Sequence, residues 1–131
     1  MTPADLVGTP YLNRGSSLEG VDCWGLVWLT LARCYGLSVP RYEQYSEANS
    51  EEAARLIMSG WADWEQIAQG NERPGDVLAF RDPQSKLAVH CGVVIGEGRF
   101  IHCMEGRLTC IEKYDVGLWN KLLARIGRWK S

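Results

Sequence analysis

Val89-His90-Cys91-Gly92-Val93-Val94-Ile95-Gly96-Glu97-Gly98-Arg99-Phe100-Ile101-His102-Cys103-Met104 is two runs rich in β-branched residues around a glycine-bearing turn, the pattern of a β-hairpin. It carries both histidines of the chain, so its register decides whether they meet. A two-residue turn at Glu97-Gly98 would set Gly96 opposite Arg99 and His102 opposite Val93, with the imidazoles on opposite faces. A three-residue turn, with Gly98 supplying the left-handed residue of a bulge, sets Ile95 opposite Arg99 and His102 opposite Gly92. His90 and His102 then share a face as diagonal neighbours, roughly 5–8 Å apart between backbones. Gly92, lacking a side chain, leaves room for a ring. The three-residue turn is the expected one. It also opposes Cys91 and Cys103 on the other face, as two core thiols rather than a disulfide.

Outward from the hairpin, Asp76–Arg81, Arg107–Lys113 and Leu123–Lys130 read as further strands, which with Val89–Gly96 and Arg99–Met104 makes five. Most are joined by short glycine-bearing turns, as in an antiparallel meander. The first half reads differently. A short helix at the start gives way to the loop Gly8-Thr9-Pro10-Tyr11-Leu12-Asn13-Arg14-Gly15-Ser16-Ser17. Cys23–Tyr35 is helical: Asp22 is a good N-cap, Leu26, Val27, Thr30, Leu31 and Cys34 form an apolar stripe, and Gly36 terminates it. Ser50–Met58 opens with Ser followed by acids, as helices do, and Trp61–Gln69 is a weaker helical candidate. Helices first and strands second predict an α+β class, with N-terminal helices packed on a five-stranded antiparallel sheet in a single domain, residues 1–131.

Composition narrows the function. With 14 basic and 16 acidic residues, net charge −2, and no polybasic run, nucleic-acid binding is not expected. No apolar stretch approaches the roughly 20 residues needed to cross a bilayer, so membrane insertion is not expected either. The N-terminus has no basic region followed by an apolar one, and the five cysteines are odd in number without framework spacing. Synthesis in a reducing cytoplasm without a signal peptide is the corresponding expectation.

Cys23 occupies the first position of its helix, where free N–H groups and the positive dipole end favour a thiolate. Asp22 opposes this, and a neighbouring imidazolium would more than compensate. The residues thus supply an acyl-transfer site: Cys23 as nucleophile, His90 as general base, and His102 fixing the tautomer and orientation of His90. The Cys23 backbone N–H, with the Tyr11 hydroxyl, would meet the oxyanion. The two His-Cys pairs resemble a zinc-finger inventory, but consecutive strand residues point to opposite faces and cannot converge on one ion, so no metal or other cofactor is expected. Cys34 and Cys110 read as packing residues, and so do Trp28, Trp119 and Trp129. Asp76 reads as fixing the turn into its strand.

Four segments in order, Asp22-Cys23-Trp24-Gly25-Leu26-Val27, Arg73-Pro74-Gly75-Asp76-Val77-Leu78-Ala79-Phe80, His90-Cys91-Gly92-Val93-Val94-Ile95-Gly96 and Phe100-Ile101-His102, resemble the signatures of the NlpC-type cysteine peptidases. Gly8-Thr9-Pro10-Tyr11 matches the motif that opens the family's domain. The resemblance implies a papain-like core and cleavage of peptidoglycan stem peptides between D-glutamate and a diamino acid. It matches Cys23, His90 and His102 to nucleophile, base and third polar residue. Tyr11 matches a tyrosine beside the nucleophile, and Asp22 an acid holding the substrate's free amine. Trp24 stands where many relatives have Ser, which puts the substrate-side contacts at this position in question. Trp24, Trp64 and Pro40-Arg41-Tyr42 resemble the branch found in phage and prophage tail proteins, implying tail-tip partners and action on the cell wall. The alternatives are a structural tail-assembly protein with an incidental or lost site, an antibacterial effector amidase, and an acyltransferase of the same fold class.

Overall fold

The computed structural model describes residues 1–41, 63–83 and 88–130, the side chains of 88 and 89 excepted. The Ser50–Met58 helix read from the sequence lies outside the described residues.

The N-terminal part is a 3-10 turn, Pro3–Leu6, and a small ribbon of β1 (Ser16–Ser17) and β2 (Gly20–Val21). It leads into α1, Cys23–Tyr35. Both ends of α1 follow from local chemistry. The Asp22 carboxylate accepts the Gly25 N–H at 2.6 Å, satisfying one orphan donor of the first turn, and Gly36 closes the helix in the left-handed region at φ 66°. Leu26, Val27, Leu29 and Leu31 are buried. Gly25 is obligatory for another reason: a Cβ there would overlap the Gly15 carbonyl oxygen, so the loop before the helix lies directly on its first turn.

The main sheet is antiparallel and has six strands, one more than the sequence reading: β3 (Trp64–Gln66), β4 (Val77–Arg81), β5 (Ala88–Gly96), β6 (Arg99–His102), β7 (Cys110–Lys113) and β8 (Leu123–Trp129). Strands β4 to β7 form the expected meander. The last strand departs from it: β8 crosses back to pair with β4, and β3 then pairs with β8, giving the order β3-β8-β4-β5-β6-β7. Trp64–Gln66 is therefore an edge strand and not part of a helix. Trp64 is 5% exposed, packed edge-on to Trp129 and Trp24, and this tertiary burial overrides a weak local helical pattern. A short helix that the sequence reading left out, α2 (Gly117–Leu122), precedes β8. Among the described residues α1 is the one long helix, so the expected layer of N-terminal helices is a single helix there.

The sheet has two covered faces. On one, Val77, Ala79, Cys91, Val93, Ile101 and Cys103 pack against α1 and Leu6. On the other, Leu78, Phe80, Val94, Phe100 and Ile126 pack with Trp119 and Leu122 of α2. No described helix is long and apolar enough to cross a membrane.

The hairpin reaches the expected pairing by another route. The turn has two residues, with Glu97 at φ 58° and Gly98 at φ 73°, and Gly96 pairs with Arg99. A bulge at Ile95 then shifts the register, so that Val94 pairs with Phe100 and Val93 with Ile101. This carries His102 alongside Gly92, as the three-residue turn would have done. The space at Gly92 is used by Phe100, not by an imidazole: a Cβ there would sit 2.6 Å from the Phe100 ring.

Candidate active site

Strand β5 outruns β6. Beyond Gly92 its described pairing is with β4 alone, through Ala79↔Cys91 and Phe80↔His90. The N-terminus of α1 sits at this edge. Consecutive strand residues point to opposite faces: His90 joins Phe80 and Trp119 on the α2 face, while Cys91 joins the α1 core. Both nevertheless hydrogen-bond to Cys23. A sulfur placed at a strand's edge is reached from both faces, a case that alternation along a strand does not forbid.

These contacts set the acidity of Cys23. The hydrogen bond from the Cys91 thiol, and then the hydrogen bond and charge of His90, pull its pKa down to about 5 against burial and the nearby Asp22 carboxylate. Cys91 moves the opposite way, well above the ordinary thiol value, because its proton is held by Cys23 and its site is buried. Cys23 is thus an ionised sulfur at neutral pH, with Cys91 a neutral donor to it.

Behind His90 lies a chain of hydrogen bonds. His90 Nε2 is 2.8 Å from His102 Nδ1, and His102 Nε2 is 2.6 Å from Glu112 Oε2. Burial, aided by the charge of His90 and opposed by Glu112, lowers the His102 pKa to about 4, so the ring is neutral at pH 7. Burial works to raise the Glu112 carboxyl, but hydrogen bonds with His102, Trp119 and Cys110 and the interaction with the His102 charge hold it below its ordinary value. An ionised Glu112 can only accept, so His102 donates from Nε2 and its Nδ1 becomes an acceptor. That acceptor takes the His90 Nε2–H and leaves Nδ1 of His90 for the thiol. The direction of the whole chain is set by its last member. Aromatic rings hold it in place: Phe100 stacks on His102 at 4.3 Å between centroids, and Trp119 meets His90 and His102 at 5.6 and 4.9 Å.

The thiol opens onto a cleft of about 380 Å³ lined by Tyr11, Cys23, His90, Arg81, Met104 and Trp119 among others. Tyr11 is partly exposed there. Burial, with Asp22 and Cys23 nearby, raises its hydroxyl to about 12, so it is a neutral donor beside the sulfur. Asp22 is 6% exposed and its carboxylate accepts the backbone N–H groups of Gly25 and Arg14, at 2.6 and 3.1 Å. Its evident work is to fix the start of α1. Trp24, a candidate substrate-side contact whose role the sequence left in question, lies instead in the α1 core, 1% exposed, packed edge-on to Trp64 at 6.2 Å and outside the cleft lining. Position 24 falls on the inward face of the helix, while position 23 faces the sheet edge.

Three residues here escaped the sequence reading: Glu112, Cys91 as a donor to sulfur, and Trp119, which was read as packing. The alternation of Cys110 and Glu112 along β7 puts both on the His102 face once His102 pairs with Cys110. That register depends on the connection from 103 to 109, whose course no local pattern dictates.

This arrangement coincides with a match of residues 8–128 to the model of the NlpC/P60 family. The chain belongs to that family. It is 29% identical over 126 residues to the gamma-DL-glutamyl hydrolase of Bacillus subtilis, a match covering 95% of this chain and 27% of that protein. It is also 29% identical over 120 residues to the murein DD-endopeptidase MepS/murein LD-carboxypeptidase of Escherichia coli K12, covering 90% and 54%. The chain thus spans between about a quarter and a half of the length of these relatives. Among solved structures it resembles an NlpC/P60 family protein from Bacillus cereus, with TM-score 0.71, 24% identity and coverage of 98% and 38%. It also resembles RipD from Mycobacterium tuberculosis, described as a non-catalytic NlpC/p60 domain protein, with TM-score 0.63, 14% identity and coverage of 98% and 92%. These likenesses establish the NlpC/P60 α+β fold.

Proposed function

We propose that the chain is a cysteine endopeptidase hydrolysing peptidoglycan stem peptides. The observation that carries this reading is the acidic Cys23 thiol at a helix start, bonded to His90, with His102 and Glu112 aligned behind it at 2.8 and 2.6 Å. In this reading the Cys23 thiolate attacks the scissile carbonyl carbon. The oxyanion is met by the first-turn N–H of Cys23 and the Tyr11 hydroxyl. The tetrahedral intermediate collapses to a thioester as His90 gives its Nδ1 proton to the leaving amine. Water, deprotonated by His90, then releases the acid and restores the thiolate. His102 and Glu112 position His90 and touch no reacting atom.

Within this class we assign the bond between D-glutamate and the diamino acid, with Asp22 holding the free amine of the substrate. The B. subtilis relative is named for glutamyl bonds, while the E. coli relative is named for DD and LD bonds, and the masses of the products distinguish the three. We further place the protein at a phage or prophage tail tip. The support is sequence resemblance; of the residues that carry it, Arg41 lies over the Trp28 ring of α1 at 5.6 Å.

The decisive experiment is digestion of purified sacculi and of synthetic stem peptides, with product masses identifying the bond. Release by the native chain that Cys23→Ala abolishes is the expected result; equal release by Cys23→Ala overturns the mechanism. Binding of sacculi without release would instead align this chain with the non-catalytic behaviour ascribed to RipD. Mass spectrometry of purified virions tests the tail placement, which fails if the chain is absent from them.

A further inference from the structure

We propose that His102, Cys110 and Glu112 form an inhibitory site for a zinc-like divalent cation. His102 pairs directly with Cys110 across β6 and β7, and Glu112 lies two residues further on the same face. Their donor atoms converge among the described residues as one imidazole nitrogen, one sulfur and one carboxylate oxygen. Such a mixed set suits zinc, a borderline-soft ion that takes all three.

The separations fit. Cys110 Sγ is 3.6 Å from His102 Nε2 and 3.7 Å from Glu112 Oε2. Metal–sulfur and metal–nitrogen or –oxygen bonds of ordinary length around a tetrahedral ion require edges of about 3.5 Å. The remaining edge, 2.6 Å between His102 Nε2 and Glu112 Oε2, is a hydrogen bond and must widen to about 3.3 Å. Glu112 can supply that movement because its side chain is 44% exposed, whereas His102 is fixed at 1%. Solvent then reaches the fourth position.

Binding and catalytic alignment exclude one another. The cation takes the lone pair at His102 Nε2, so the ring proton moves from Nε2 to Nδ1, and the Cys110 proton leaves to solvent. Nδ1, formerly the acceptor for His90, becomes a donor aimed at it. His90 can meet that donor only by losing its Nε2 proton to solvent, and its remaining Nδ1 proton can then pass to the leaving amine only by making an imidazolate, so acyl transfer is blocked. The inhibitory consequence rests on the proposed hydrolytic reading; the binding itself does not.

Two measurements on the same chain separate them. Cobalt(II), used as a spectroscopic substitute, is expected to give a thiolate-to-metal charge-transfer band that Cys110→Ser abolishes and Cys23→Ala retains. Zinc is expected to inhibit stem-peptide hydrolysis at concentrations at least ten-fold lower for the native chain than for Cys110→Ser, each measured against its own activity without metal. A band that survives Cys110→Ser, vanishes in Cys23→Ala or never forms overturns the site. Equal zinc sensitivity of native chain and Cys110→Ser overturns the inhibition. If no substrate is hydrolysed at all, the cobalt band still decides the site.

Discussion

An ordinary cysteine is only about a few per cent thiolate at neutral pH, whereas Cys23, pulled to about 5, is ionised throughout the neutral range. The sign follows directly. Reactivity with iodoacetamide should be constant above roughly pH 6 and fall about ten-fold per unit as the pH drops below 5. Cys91→Ala removes the first of the lowering contacts, so the same profile should move to higher pH; an unmoved profile would assign the acidity to His90 and the helix alone. Glu112 is tested by shape against charge. Glu112→Gln keeps an acceptor for His102 Nε2–H and should retain most activity, while Glu112→Leu should lower kcat about 10- to 100-fold with little change in KM. Cys23, His90 and His102 were legible in the sequence because helix starts and strand alternation have fixed geometry. Glu112 and Cys91 were not, since one depends on a seven-residue connection and the other on where a helix end meets a strand edge.

Elements bring these residues together through register, and register here depends on one extra residue. The sequence suggested the right partners for His102 through a three-residue turn. The chain instead uses a two-residue turn and a bulge at Ile95, two devices with the same net offset. Local patterns constrain the offset of a hairpin better than the means of producing it. Gly92 is the element's weak point: Gly92→Ala would press on the Phe100 ring at 2.6 Å and the Ile101 carbonyl at 2.8 Å. The expected result is a loss of about 1–3 kcal/mol in thermal unfolding. Activity should fall as well, because Phe100 supports the His102 ring. The strands of the meander were readable from alternation and turns, whereas β3 was not. It is short, and its strand character comes from pairing with β8 and from Trp64 packing on Trp129, both remote in sequence.

For the molecule as a whole, the crossing strand β8 lies between β3 and β4 and is tied to the residue just before β4 by a forked ion pair. Arg128 Nε and Nη2 meet the two Asp76 carboxylate oxygens at 2.9 and 2.8 Å, while Asp76 Oδ2 also accepts the Arg73 N–H. Asp76 is 1% exposed, so Asp76→Ala leaves Arg128 without its carboxylate, though still donating to the Asn71 carbonyl at 3.3 Å, and removes the acceptor of the Arg73 N–H at the Pro74-Gly75 turn. Because Arg128 remains partly hydrated, the expected loss is about 2–3 kcal/mol, below the usual cost of breaking a fully buried pair, measurable by denaturant unfolding. Activity per folded molecule should be preserved, since neither residue borders the cleft. One consequence of the layout concerns motion. The base and the thiol that supports the sulfur are neighbours in the chain, His90 and Cys91, gripping Cys23 from the two sides of a single strand. Any drift of that strand from the helix slackens both grips at once, so the sulfur loses its acidity and its proton acceptor in the same step. Alkylation rate at mildly acidic pH therefore serves as a built-in gauge of how firmly the two halves of the molecule are docked.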